Sequence, residues 1–316
     1  EMVMYNLIKF FDPEQFHVDL LVRKKGDNEQ IFRDIGCSIF VVPFVNKKQY
    51  SRDLTSFLQV HRYGVVHTHM HNDMGLVMKC AESVGVPVRV AHSHNARVDV
   101  PRIMWPLNII RSWQTENHAN LFFACSHIAA EWLFPRYRKV AHVIYNGIDL
   151  DAFRFDPQIR KQKREELGVS DKTKVIINVG RCTNQKNHSF ILDRAKELKN
   201  EDMLFIIIGE GPLFEQLNRR IEDEHISNVR MMGKSFNVFQ WLCAADVFFF
   251  PSVYEGLGIV AIEAQACGLR VLSTNTIPVE ADMQIGCFEW IELADIKRWN
   301  DLLKQVTYSE EKRLEL

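Results

Sequence analysis

The sequence predicts an α/β protein built as two Rossmann-like, doubly wound parallel-sheet domains facing across a cleft. Three observations carry this. Short apolar runs alternate with amphipathic helical stretches along the whole chain, which is the pattern of βαβ units. The runs are nearly all Val, Ile, Leu and Phe without polar alternation, as parallel strands covered on both faces require. The 316 residues, 47% hydrophobic and 25% charged, suffice for two domains of ordinary globular composition.

Taken in order, the strands of the first half are expected at His17–Val22, Ser38–Pro43, Val65–His69, Val88–His92, Leu121–Cys125 and His142–Tyr145. Those of the second half are expected at Val175–Val179, Leu204–Ile208, Val229–Met232, Val247–Phe250 and Leu269–Ser273. The join is placed near residue 155, after the turn Asn146 to Asp149 and before the charged helix start at Arg160 to Gly168. Two domains follow, 1–155 and 156–316. Ligands of open parallel sheets bind beyond the carboxyl ends of strands, so the residues just after each strand are the candidates for chemistry.

Composition removes several functions. Lys and Arg total 39 against 40 Asp and Glu, so a net charge of -1 offers no bulk field for nucleic acid. No apolar run approaches the roughly 18 residues of a membrane span. Seven scattered cysteines without a C-x-x-C pair argue against a disulfide framework and a structural zinc site, and fit a cytoplasmic protein.

After Val175–Val179 come Gly180, Arg181 and, five positions on, Lys186. A forked guanidinium and a mobile ammonium can clamp a diphosphate together, the alternative being a solvated basic loop. After Leu204–Ile208 come Gly209, Glu210, Gly211 and Pro212. Two glycines permit backbone contact with a flat ligand, but the third glycine and downstream acid of a dinucleotide fingerprint are missing, and a tight β-to-α turn would look the same. The segment Asp246 to Gly268 is the most informative. A strand ends at Pro251, a loop holds Glu255, Gly256, Leu257, Gly258 and Ile259, and a helix runs from about Gly258 to Gly268. Its N-terminal N–H groups and positive dipole end suit a phosphate, with Gly256 and Gly258 allowing close approach. Glu255 in the loop and Glu263 in the helix can reach hydroxyls flanking that phosphate. Alternatively, Glu263 is a buried partner for a Lys or Arg.

In the first half, His67, His69 and His71 follow or end one strand, and His92 and His94 another. Alternate histidines share a face, so metal ligation has to be considered, but no spaced Cys, Asp or Glu accompanies them and no metal is expected. One imidazole, taken as His94, is expected to face the cleft while the others pack or meet solvent. The stretch Arg97 to Trp113 mixes Arg97, Arg102 and Arg111 with Trp105, Trp113 and aliphatic residues, either an interfacial helix facing anionic lipid or a packing helix with snorkelling arginines.

These residues resemble the retaining glycosyltransferases of family 4, which have the GT-B architecture. The likeness rests on Val143 to Asp149, Gly180 and Arg181 with Gln185 to Asn187, Gly209 to Pro212, and Glu255 and Glu263 with seven residues between them. It implies that Arg181 and Lys186 hold the diphosphate of a nucleotide-sugar donor and that Glu263 binds the ribose hydroxyls. Glu255 and the backbone from Gly256 through Leu257 and Gly258 to Ile259 would hold the transferred sugar and distal phosphate. Gly209, Glu210 and Gly211 would line the nucleobase site, and His94 would lie near the reacting sugar. Catalysis would then rest on Glu255, His94, Arg181 and Lys186, with no cofactor or metal, and with the departing diphosphate helping to deprotonate the acceptor.

The resemblance further implies that residues 1–155 are the acceptor side and 156–316 the donor side. Family members open with a strand and a Gly-Gly loop, and Glu1 to Leu7 matches the helix after them, so a first strand is expected to be missing and to leave an unpaired sheet position. A final helix is expected to be incomplete beyond Leu316. Within the family the segments Ala91 to Asn95 and Ala124 to Ser126 look most like bacterial capsule or exopolysaccharide enzymes. Their acceptors are saccharides or polyprenyl-linked saccharides at the inner membrane face, where Arg97 to Trp113 would make peripheral contact. The donor is taken as UDP-hexose or UDP-N-acetylhexosamine. An epimerase of the same architecture, a non-catalytic sugar-nucleotide-binding protein and, less compatibly, a nicotinamide oxidoreductase are the rival readings.

Overall fold

The structure is a computed structural model and describes residues 2–26, 28–70, 73–96, 105–235 and 237–315. Contacts divide the chain into two compact units, parting between Ile148 and Asp149, within the turn that marks the expected join near residue 155.

The first unit runs α1 (Met2–Ile8), β1 (Asp19–Val22), α2 (Glu29–Asp34), β2 (Ser38–Val41), α3 (Lys47–His61), β3 (Val65–Thr68), α4 (Met74–Ser83), β4 (Val88–Ser93), α5 (Trp105–His118), β5 (Leu121–Ala124), α6 (His127–Leu133) and β6 (His142–Val143). All its strand pairs are parallel, β1 with β2 and, separately, β3-β4-β5-β6. Among the described residues β1 and β3 therefore each have one unpaired edge, and the unit holds two sheets rather than one. Tyr50, Leu54 and Leu58 recur at helical spacing on α3 and pack with α4, Ala91 and Phe122 into the larger core cluster. A Cβ at Gly75 would stand 2.8 Å from the Gln114 Cβ, so glycine is what lets α4 lie against α5.

The second unit begins with α7 (Pro157–Leu167), then β7 (Lys174–Val179), α8 (His188–Glu197), β8 (Met203–Ile208), α9 (Phe214–Asp223), β9 (Val229–Gly233), α10 (Val238–Ala244), β10 (Val247–Phe250), α11 (Ile259–Ala266), β11 (Arg270–Thr274), β12 (Phe288–Ile291), α12 (Ile296–Gln305) and α13 (Glu310–Leu314). Its sheet is parallel throughout, in the order β12-β11-β10-β7-β8-β9. Alternation sorts the apolar runs between two cores. Ile177, Ile206, Phe248 and Phe250 face one cluster, and Ile176, Phe205, Ile207 and Phe249 face the other.

The expected strands all exist, with ends shifted by a few residues. β12 was not anticipated, because its sequence Phe288-Glu289-Trp290-Ile291 breaks the apolar run with a carboxylate. Glu289 meets Arg270 and Arg298 at this edge strand, where burial is incomplete. The expected helix Gly258 to Gly268 narrows to Ile259–Ala266, with Gly258 as its N-cap at φ 86°. α7 starts from an Asp156 cap with Pro157 in its first turn and ends at Gly168 in the left-handed region. Its Arg160 and Arg164 are buried on Asp246 at 2.6 and 3.2 Å and on carbonyls at the end of α10, where Arg313 joins them. Cations at the negative end of a helix satisfy its free carbonyls.

Candidate active site

In the second unit the loops after β7, β8 and β10 are stitched together. The Gly180 N–H donates to the Ile208 carbonyl at 2.9 Å and the Cys182 N–H to that of Glu210 at 3.0 Å. Gly209 at φ +141° would place a Cβ 2.0 Å from the Gly180 carbonyl oxygen, and Gly211 at φ +158° would place one 2.6 Å from that of Cys182. Backbone packed on backbone demands these two glycines, whatever ligand they also admit. Glu210 between them is exposed and its carboxylate helps burial push the Cys182 thiol up to about 11.

The loop after β7 carries the two candidate cations to different surroundings. Arg181 is exposed, and its guanidinium has no ion pair or hydrogen bond among the described residues. Lys186 turns inward and donates from Nζ to Glu255 Oε1 at 2.6 Å. Gln185 Nε2 reaches the other oxygen of Glu255 at 3.3 Å and the Tyr254 carbonyl at 3.0 Å. The Val253 N–H donates to the Gln185 carbonyl at 2.8 Å and Asn187 Nδ2 to that of Pro251 at 3.2 Å. The loops after β7 and β10 together therefore present a buried carboxylate, 6% exposed, with a cation already on it. Glu255 thus lies where a ligand would meet both signs of charge at once.

Gly256, Leu257 and Gly258 are buried and Ile259 is half-buried at the start of α11. A Cβ at Gly258 would press on the Phe250 ring at 3.0 Å, so this helix begins directly above the strand end. Glu263, further along α11, has no side-chain partner among the described residues. The alternative of a buried Lys or Arg partner is therefore not realised. Burial without compensation lifts its carboxyl to about 7.

Sequence reasoning passed over the role of Gln185 and over Asn178, Ser252 and His188. Asn178, the polar residue within the run Val175–Val179, donates Nδ2 to the Phe249 carbonyl at 2.8 Å and ties β7 to β10. His188 is 1% exposed with both ring nitrogens unpartnered, and burial holds its imidazole down at about 4. A polar side chain inside an apolar run was a visible signal for Asn178. For His188 there was none, since its neighbours come from the fold.

In the first unit the structure brings four histidines together. His67 Nε2 lies 3.1 Å from His92 Nδ1, and His69 Nδ1 lies 2.7 Å from His94 Nε2. The His92 and His94 rings stack at 4.1 Å. β3 and β4 run parallel with Thr68 opposite Ala91, so the alternate positions 67, 69, 92 and 94 share one face. Burial lowers His67 and His94 to about 4 and His92 to about 2, and pushes His69 down strongly too. All four are neutral near pH 7. Adjacent strands bring one nitrogen each of His67, His69 and His92 within 4.8 Å of one another, a grouping that spacing along one strand did not show. His71 lies outside the described residues, as do Arg97 and Arg102. What is described of the Arg97 to Trp113 stretch forms the start of α5, where Ile109, Ile110 and Trp113 are 67%, 49% and 54% exposed. Among the described residues no helix is long and apolar enough to cross a membrane, and all seven cysteines are free.

Two Rossmann-like units, one ending its strands in a cation-bearing loop beside a glycine-capped helix and an unpartnered carboxyl, define a GT-B protein with a site suited to a polyhydroxylated phosphate ligand. The family pattern described as glycosyl transferases group 1 matches residues 159–316 and that of glycosyltransferase family 4 matches residues 1–152. The chain belongs to the group 1 glycosyl transferases and is a glycosyltransferase. It is 28% identical to the glycosyltransferase EpsF of Bacillus subtilis, over 96% of this chain and 83% of that protein. It is 27% identical to the UDP-Gal:alpha-D-GlcNAc-diphosphoundecaprenol alpha-1,3-galactosyltransferase of Escherichia coli, over 83% and 72% of the two chains. The crystal structure of HepE from Anabaena in complex with UDP-glucose shares the fold with a TM-score of 0.83 at 15% identity, covering 99% of this chain and 87% of that one.

Proposed function

We propose that this glycosyltransferase moves a hexose or N-acetylhexosamine from a UDP-linked donor to a saccharide or polyprenyl-linked acceptor in surface polysaccharide synthesis, with retention of configuration and without a metal ion. The observation that carries the reading is one loop presenting an unpaired Arg181 and a Glu255-bound Lys186 beside the α11 N-terminus and the unpartnered Glu263. An ammonium has three donors, so Lys186 can keep Glu255 and still take a phosphate oxygen. Arg181 adds a forked contact, and the first N–H groups of α11 supply a positive dipole end. Charge that develops on the leaving diphosphate is stabilised by groups already in place. Glu255, held on its other side by Gln185, accepts from hydroxyls of the transferred sugar, and Glu263 accepts from the ribose. Attack comes from the face the diphosphate leaves, and the acceptor proton passes to a diphosphate oxygen. His94 serves near the reacting sugar as a neutral imidazole.

UDP-glucose in the HepE structure and the diphosphoundecaprenol acceptor in the name of the Escherichia coli relative support this donor and acceptor class. The Staphylococcus aureus relative named for capsular polysaccharide biosynthesis supports the pathway class. Relatives named as transferases favour transfer over epimerisation or mere binding. The exposed apolar stripe of α5 supports peripheral membrane contact. Titration calorimetry and a transfer assay with UDP-sugars test the core of the reading. Arg181→Ala is expected to lower kcat/KM by about a hundredfold or more. Wild-type protein that binds no nucleoside diphosphate, or that forms a new sugar nucleotide without acceptor, would sink it.

A further inference from the structure

We propose that His67, His69 and His92 form a site for a divalent transition metal of the zinc type within the first unit. One nitrogen from each of the three rings lies within 4.8 Å of the other two, and the His67 and His92 nitrogens named above are already 3.1 Å apart. Three nitrogens about 2.0 to 2.1 Å from a tetrahedral zinc are roughly 3.4 Å from each other, so ring rotations of about 1 Å close the set. The metal would replace the hydrogen bond between His67 and His92.

Two further features point to a ligand. His69 Nε2 is buried without a hydrogen-bond partner among the described residues, and the His92 ring is 1% exposed. The tautomer of His69 is also prepared: Nδ1–H can donate to His94 Nε2 at 2.7 Å, which turns the Nε2 lone pair toward the cluster. His94 thus positions a ligand without being one. His67 and His69 are only half-buried, which leaves a fourth position to solvent.

The test uses tag-free protein, since a polyhistidine tag would bind the same ions. After equilibration with ZnCl2 and gel filtration, metal analysis is expected to find one zinc per chain. His69→Gln and His92→Gln should each weaken zinc binding about tenfold or more, while His142→Gln, which alters a nearby imidazole outside the set, should not. Co2+ added to the wild-type protein should give the ligand-field bands of a low-coordinate histidine site, bleached by zinc, and this reading survives any variant that fails to fold. No stoichiometric zinc on the wild-type protein, or binding undiminished in a folded His69→Gln, overturns the proposal.

Discussion

The sheet of the second unit runs unbroken through six parallel strands with a hydrophobic cluster on each face, whereas the strands of the first fall into a pair and a group of four. The difference extends to what fills them. Phe248, Phe249 and Phe250 on β10 are completely buried, while the first unit buries His92 on β4, half-buries His67 on β3 and leaves Val65, Ile109 and Trp113 exposed. In the second unit a continuous two-faced sheet fixes the site loops from below. The first unit keeps some polar groups inside and some apolar ones outside, features that stability alone does not favour.

The largest effect is expected where the second unit holds a buried ion pair, Lys186 with Glu255. Lys186→Ala leaves Glu255 buried without its cation and is expected to cost about 3–5 kcal/mol in denaturant unfolding of the second unit. Lys186→Ala with Glu255→Ala should recover much of that loss, since the uncompensated charge goes as well. An additive double mutant would show that the pair plays no part in holding the loops.

A smaller effect of opposite sign is expected at Glu263. Its folded carboxyl is raised from 4.5 to about 7, so the unfolded chain releases the proton first as pH rises. The stability this carboxyl contributes is present below about pH 4.5 and is lost as pH climbs to about 7, amounting to at most about 3 kcal/mol. Glu263→Gln should therefore raise the melting temperature at pH 8 and flatten its pH dependence, while weakening UDP-sugar binding. In the wild type, donor affinity should grow as pH passes about 7 and the carboxylate forms. A Gln variant that melts no higher at pH 8 would mean that the carboxyl is compensated in solution.

The smallest stability effect belongs to the other unit. Ile109→Asp on the exposed face of α5 should change stability by no more than about 0.5 kcal/mol, yet reduce binding to anionic liposomes in a flotation assay. Unchanged liposome binding would remove membrane contact from the account of that surface.

How far the sequence could be read follows the same division. The strands β7 to β10 were legible because they are largely apolar runs closed by glycine or proline, and Arg181, Lys186 and Glu255 in the loops and Glu263 in the helix stood out by their positions after those runs. Gln185 was visible as a letter, but its grip on Glu255 joins residues 70 apart and depends on two loops meeting. β12 hid behind Glu289, whose charge is tolerated because this strand lies at the sheet's edge beside Arg270 and Arg298. Gly209 and Gly211 are open in sequence to two readings, room for a flat ligand or a tight β-to-α turn, and the structure adds a cause that sequence could not show, the carbonyls of Gly180 and Cys182.

The sequence by itself determined the α/β class, the two-unit plan and the order of the site loops, because periodicity and turn chemistry are local properties of the chain. Tertiary structure alone decided that Lys186 spends its charge on Glu255 while Arg181 stays unpaired, that Glu263 is left without a partner, and that two pairs of histidines become one cluster. Each of these depends on which strands are neighbours, and the pairing of β3 with β4 or β7 with β10 is set by the packing of whole sheets rather than by any short stretch of residues.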